Sequence, residues 1–210
     1  MPPDLDRARM RSVDHLQRVY AFVVSLTFAE SLRRTLLTAN QTVDLRWSNK
    51  WIMSLSLVVT IIPFYHGANR YLDATYVTGE RSYKYQYSLM IDFLFLFLQA
   101  LLMFGLAVLI TGETTQVSVN DRWFFGGLAV LLAIDVIWIL ITRFTTRDSR
   151  DEARKFRRWA LVNIIAIAAI SVLIYFARWE WLLVVSFVRF ILDYVIAYDF
   201  YYPSPPPPRA

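Results

Sequence analysis

Four ionisable residues interrupt otherwise apolar stretches of this chain: Glu30, Asp135, Arg189 and Asp193. A charged side chain in hydrocarbon is costly, so such groups face a bundle interior or water, where they move protons, bind ions or neutralise one another. Arg189 stands four residues before Asp193, which puts both on one helix face. Asp135 follows Trp123 by 12 residues, and Asp193 follows Trp181 by the same number. At the α-helical rise, each carboxylate lies about 18 Å below a boundary marked by tryptophan. Arg189 lies about 6 Å above them, and Glu30, counted from the other side, comes close to its level. Asp92 falls nearer the inner surface, where solvation is expected. Two readings follow: a polar pathway or gate, or a set of mutually neutralising pairs that lock the bundle or a subunit interface.

The elements that must hold these residues are long apolar helices. The 210 residues are 57% apolar, 16% aromatic and 19% charged, with a mean hydropathy of +0.40. A soluble domain is less apolar and more charged. A bilayer core of about 30 Å takes about 20 apolar residues per helix. YSLMIDFLFLFLQALLMFGLAVLI, WFFGGLAVLLAIDVIWILITRF and WALVNIIAIAAISVLIYFA each meet that length. The expected fold is an all-α, polytopic membrane protein, with helices at about 14–37, 51–66, 87–110, 123–144, 150–177 and 181–202. Residues 51–66 are short and contain Pro63. Residues 14–37 hold only an 11-residue apolar run, Val19–Ala29, before Glu30, Arg33 and Arg34. They read either as a polar-faced span or as an amphipathic helix at the interface, and a four-span core is the alternative architecture. Residues 203–210 form a proline-rich tail expected to be disordered.

Charge sets the orientation. Loop 143–158 carries Arg143, Arg147, Arg150, Arg154, Lys155, Arg157 and Arg158. Such a cluster belongs in the cytoplasm, and six spans then put both termini there. Of the 22 Lys and Arg, 15 fall inside, 6 outside, and Arg189 stays in the membrane. Trp47, Trp51, Trp123, Trp179 and Trp181 fall at the outer boundary. Trp159, Tyr83, Tyr85, Tyr87, Tyr198, Tyr201 and Tyr202 fall at the inner one, as interfacial aromatics should. Ser149-Arg150-Asp151-Glu152 fits a capping box that would start the fifth helix near Arg150. Gly126-Gly127, Ala166, Ala168, Ala169 and Ser171 permit close helix approach, within a subunit or between subunits.

Several chemistries are excluded or disfavoured. The chain has no cysteine, hence no disulfide, thiolate ligand or cysteine nucleophile. The glycine-rich phosphate loops, the GxSxG elbow and the HExxH zinc motif do not occur. His15 and His66 stand in separate segments without acidic neighbours at ligand spacing. No metal, cofactor, enzymatic activity or nucleic-acid partner is therefore expected. The expected partners are membrane lipids, further copies of the chain, and a cytoplasmic protein or anionic lipid at Arg147, Arg150, Arg154, Lys155, Arg157 and Arg158.

Arg18-x-x-x-Phe22, and Phe64-Tyr65-His66 to Arg70-Tyr71 at the end of the second helix, together with the order of spans, resemble the bacterial relatives of the lysosomal potassium-permeable channels. Val23-Val24 stand where that family has its Ser-Asp pair. The resemblance covers much of the chain in layout and few residues in identity. It implies a six-helix subunit that assembles around a pore lined by the first helix, closed by bulky apolar residues. The corresponding stretch here is Phe22 to Phe28, with Ser25, Thr27 and then Glu30. On this reading the chain is an oligomeric channel or pore-forming protein, such as a membrane-permeabilising effector, in a bacterial inner membrane. Loops 67–86 and 143–158 would receive a signal. The alternative is a non-conducting anchor or sensor that recruits a partner through its basic loops. A third class is a proton-coupled transporter using Asp135 and Asp193.

Overall fold

The computed structural model describes residues 3–38, 40–78, 88–110, 119–145 and 150–202, with the backbone alone for 3–9, 88, 143–145 and 150–155. The described residues form six α-helices: α1 (Pro3–Leu36), α2 (Asn49–Leu72), α3 (Ser88–Leu109), α4 (Val119–Thr145), α5 (Arg150–Tyr175) and α6 (Glu180–Tyr201). A π-helical turn, Asp73–Val77, extends α2. Five helices are long and apolar enough to cross a membrane, and α1 is the sixth, more polar one. The chain is thus a multi-pass helical membrane protein. The tail 203–210, the Tyr83-x-Tyr85-x-Tyr87 alternation and Ser149 of the capping box lie outside the described residues.

Helix α2 is the central post. It touches α1, α3, α4 and α6, while α3–α4, α4–α5 and α5–α6 pack in chain order around it. Helix α1 packs on α2 and α3, and among the described residues it makes no contact with α6. The central position explains the burial pattern: Met53, Leu57, Ile61, Phe64, Ala68 and Leu72 are buried along α2. By contrast α5 buries only a narrow stripe, Ala160, Asn163, Ala166 and Ile170, and leaves Leu161, Ile164, Ile165 and Val172 outward. Outward leucine, isoleucine and valine suit a helix solvated by lipid tails.

The second helix is longer than its hydropathy suggested. It runs from Asn49 through Leu72 and its π-helical turn ends at Val77, so residues 67–77 are helix and not part of a cytoplasmic loop. Pro63 removes one backbone donor but does not end it. A proline is tolerated in a membrane helix that is packed on several sides. Helix α1 begins at Pro3, before the expected residue 14, because the charged segment 3–16 continues the same helix.

Helix α1 runs antiparallel to α2 from Gln17 to Ser31 and packs on α3 as well. Gln17 donates to Asp73 Oδ1 at 2.9 Å, Tyr20 stacks on Tyr65, and the Ser31 and Ser54 hydroxyls meet at 2.8 Å. Thr27, Ser31 and Thr35 form a buried small-residue stripe at four-residue spacing, which lets the two backbones approach closely. The α1–α2 connection is a tight turn closed by the Leu37–Val43 bridge. In it, the hydrogen-bonding guanidinium of Arg46 holds the Asp44 carboxyl below the usual carboxylate range.

Candidate functional site

The polar core is built from four helices and closed by aromatic side chains. Helix α6 contributes Arg189 and Asp193, whose i,i+4 spacing lets Arg189 Nη2 donate to Asp193 Oδ2 at 3.2 Å. Helix α5 contributes Asn163, three residues before the buried Ala166 and on the same stripe. Arg189 Nε donates to Asn163 Oδ1 at 2.9 Å, and Asn163 Nδ2 donates to Asp135 Oδ2 at 2.7 Å. Asn163 is therefore the bridge that carries the network from α6 to Asp135 on α4. Gln99 of α3 lines the same cavity as Asp135.

Asp193 has three donors. Besides Arg189, Trp159 Nε1 donates at 2.9 Å and the Tyr201 hydroxyl at 2.6 Å. Arg189 also stands over the Phe64 ring, with Cζ 5.1 Å from its centroid, so the guanidinium is held by cation–π attraction as well. Asn163 is fully buried, Asp193 is 1% exposed, Arg189 3% and Asp135 7%. Counted as ionised groups, the core holds two negative charges and one positive. A buried pair must be well bonded to survive desolvation, and Asp193 meets that condition. Asp135 accepts from an amide, that of Asn163, and shares the guanidinium at second hand.

Beside Asp135 lies a cavity of about 40 Å³. Its wall is aromatic on several sides: Phe64 and Tyr71 from α2, Trp138 from α4, Phe156 and Trp159 from α5, and Phe200 from α6. Gln99, Asp135 and Thr142 are among its polar lining residues, with Thr142 toward the end of the bundle where α1 begins and α6 ends.

The other sequence-selected residues fall elsewhere. Glu30 does not meet Arg189; its carboxylate is bound by Arg33 and Arg34 one turn away on its own helix. The depth expected for Glu30 is not met: its neighbour Ser31 meets Ser54, ten residues along α2 from the Phe64 that Arg189 covers, and among the described residues α1 makes no contact with α6. Phe22 and Ser25 face outward, with Phe22 65% exposed and the Ser25 hydroxyl bonded to the Ala21 carbonyl. Thr27 is buried against the bundle and bonds the Val23 carbonyl. Phe22, Ser25 and Thr27 thus line no passage inside one subunit. Asp92 is buried, not solvated: the Tyr76 hydroxyl donates to it at 2.6 Å and that of Tyr71 at 3.5 Å. Both tyrosines come from the stretch expected to be loop, which is why their role was hidden. Arg157 and Arg158 are exposed at the start of α5. The backbone of Arg150, Arg154 and Lys155 is helical, and Arg147 lies outside the described residues.

Asn163, Trp159, Tyr201 and Gln99 complete the site, and nothing in their spacing marked them. Trp159 and Tyr201 read as interfacial aromatics, yet both turn their polar atom inward to Asp193. The signal that finds them is the need of a buried carboxylate for donors. His66 stacks on Tyr201 at 4.5 Å between centroids and meets the Tyr194 hydroxyl at 3.3 Å, in an aromatic group and away from any acidic side chain's hydrogen bonds. Compared with protein-family models, with curated proteins and with solved structures, the chain gives no match.

Proposed function

We propose that this chain moves cations across a membrane, as a small channel or carrier, with the polar core around Asp135 as the place where the cation is held. The observation that carries the reading is the unequal charge count: Asp135 and Asp193 against Arg189, all buried within apolar helices. An isolated surplus charge in such surroundings is strongly unfavourable. A positive ion or a proton beside Asp135 offsets it.

Six spans fit this reading better than five. Helix α1 lies alongside α2 from Gln17–Asp73 to Ser31–Ser54, so a bilayer that solvates α2 also surrounds α1. Both termini then lie on one side, the cytoplasmic side by the positive-inside rule, in an inner or plasma membrane. Assembly into a homo-oligomer is part of the proposal, because α1 turns Val19, Phe22, Leu26 and Leu32 outward. A pore on the oligomer axis lined by α1 is the less favoured location, since Ser25 and Glu30 are already satisfied within their own helix.

Reconstitution into liposomes tests this. Wild-type protein should carry a cation current or uptake, and Asp135→Asn should abolish most of it while Ser25→Ala should not. Intact, correctly inserted protein that passes no cation under any imposed gradient overturns the proposal.

A second reading rests on Arg157 and Arg158, exposed at the start of α5. There the chain is a membrane anchor that draws an acidic cytoplasmic protein or anionic lipid to its basic segment. Neutralising Arg157 and Arg158 would then remove recruitment, and Asp135→Asn would leave it intact.

A further inference from the structure

The cavity beside Asp135 has a composition that selects among cations. We propose that it binds a small primary ammonium ion carrying one carbon. The inference deepens the cation-transport reading and rests on it for its functional meaning, though the binding itself stands on the cavity.

Size comes first. An apolar cavity of about 150 Å³ takes benzene, with six heavy atoms. By that ratio a cavity of about 40 Å³ takes about two. Methylammonium has two heavy atoms; tetramethylammonium has five and is too large.

The wall chemistry comes next. A bare alkali ion seeks a shell of oxygens, as other hard cations do. This wall offers few: its polar residues are Asp135, Gln99, Tyr71 and Thr142, and the hydroxyls of the last two are bonded to Asp92 and to the Ile139 carbonyl. Aromatic side chains supply most of the rest, from Phe64, Trp138, Phe156 and Trp159. Ring faces attract organic ammonium ions and accommodate their methyl groups. A primary ammonium also brings three N–H donors. Asp135 retains acceptor capacity for one of them: a carboxylate has about four lone-pair sites, and Asn163 Nδ2 donates to Oδ2. Arg189 does not compete for the space, because it is held by Asp193 and Asn163 and does not line the cavity. Charge completes the case. A monovalent cation here brings the core from one surplus negative charge to neutrality.

The test is titration of the purified full chain in lipid nanodiscs with methylammonium chloride, read by intrinsic tryptophan fluorescence. Trp138 and Trp159 both line the cavity. Potassium chloride at matched ionic strength and tetramethylammonium chloride are run alongside. Saturable quenching by methylammonium, with little response to the other two salts, is expected. Asp135→Asn should weaken binding at least tenfold. Trp138→Leu should weaken it roughly three- to thirtyfold, the range a cation–π contact carries, and Trp138→Phe much less. The Trp138 pair keeps the test decisive if Asp135→Asn folds poorly. Equal responses to potassium and methylammonium overturn the proposal, as does wild-type affinity in both Asp135→Asn and Trp138→Leu. Saturable binding without flux in liposomes would remove the transport reading and leave this site standing. Alkali-cation flux without methylammonium binding would do the reverse.

Discussion

Arg189 and Asp193 bind each other at 3.2 Å across one turn of α6, with side chains 3% and 0% exposed. Neither reaches water, so neither tolerates the loss of the other. Arg189→Met leaves two buried carboxylates and no buried cation in the core. Breaking a buried pair from one side typically costs about 3–5 kcal/mol, and the expected result is a large drop in thermal stability in detergent. Arg189→Lys keeps the charge but not the fork that serves Asn163 and Asp193 together, so it should recover only part of the loss. A stability scan of the two variants checks the order. Equal stability of Arg189→Met and wild type would show that the pair is not buried as described.

Asp135 should respond in the opposite sense. Asp135→Asn retains size and the capacity to accept from Asn163 Nδ2, while removing the surplus negative charge. Its stability should match or exceed that of the wild type even though cation movement is lost. Asn163→Leu should be harmful, because it strips Arg189 Nε and Asp135 Oδ2 of their shared partner. Hydrogen bonds to charged groups are worth roughly 1.5–3 kcal/mol each, so the loss should approach that of Arg189→Met. Melting temperatures of the single variants decide the matter: Asp135→Asn must rank well above Asn163→Leu.

The contrast between these two residues shows what the sequence made legible. A charge within an apolar run announces itself, and a four-residue interval places Arg189 and Asp193 on one face without any tertiary knowledge. Equal distances from Trp123 and Trp181 put Asp135 and Asp193 at one depth. Depth, however, says nothing about which helices are neighbours. Glu30, expected near the level of Arg189, stands beside the Ser31–Ser54 contact instead and finds its partners on its own helix. Asn163 carries no charge and sits in a run of isoleucine and alanine, so only its two charged neighbours reveal its role. The end of α2 was hidden for a related reason. Arg70 and Asp73 lower the local hydropathy, yet Arg70 donates to the Phe200 carbonyl and Asp73 accepts from Gln17. Tertiary partners keep a polar stretch helical where composition suggests a loop.

Gly67 makes room for the closing aromatic lid of Asp193. A Cβ at this position would stand 3.1 Å from Trp159 Cη2 and 3.5 Å from the Tyr201 hydroxyl. Gly67→Ala therefore requires a shift of a few tenths of an ångström, whereas Gly67→Leu must displace the indole and break its bond to Asp193. Overpacking of this kind costs roughly 1–3 kcal/mol. The cause can be separated from general disruption by a double-mutant cycle with Trp159→Phe. If the indole is the group displaced, Trp159→Phe destabilises the wild type but adds little to Gly67→Leu. Additive losses would place the strain elsewhere.

Helix α1 is the element whose placement decides between five spans and six. From Gln17, beside Asp73, to Thr35 the helix advances about 27 Å at the standard rise. That is close to the thickness of a hydrocarbon core of about 30 Å, and the path lies along α2 and α3. Its buried face is Tyr20, Val24, Thr27, Ser31 and Thr35, while Phe22, Leu26 and Leu32 turn outward. An interfacial helix would need its outward side to be polar along its length, and this one is apolar through its middle. The chain has no cysteine, so single cysteines can be introduced one at a time without a background signal. Arg11, Val43 and Arg158 are all exposed. In oriented vesicles, a membrane-impermeant maleimide should label Val43→Cys from one side, and Arg11→Cys and Arg158→Cys from the other. Labelling of Arg11→Cys and Val43→Cys from the same side would mean that α1 does not cross, and with it would go the placement of both termini on one face.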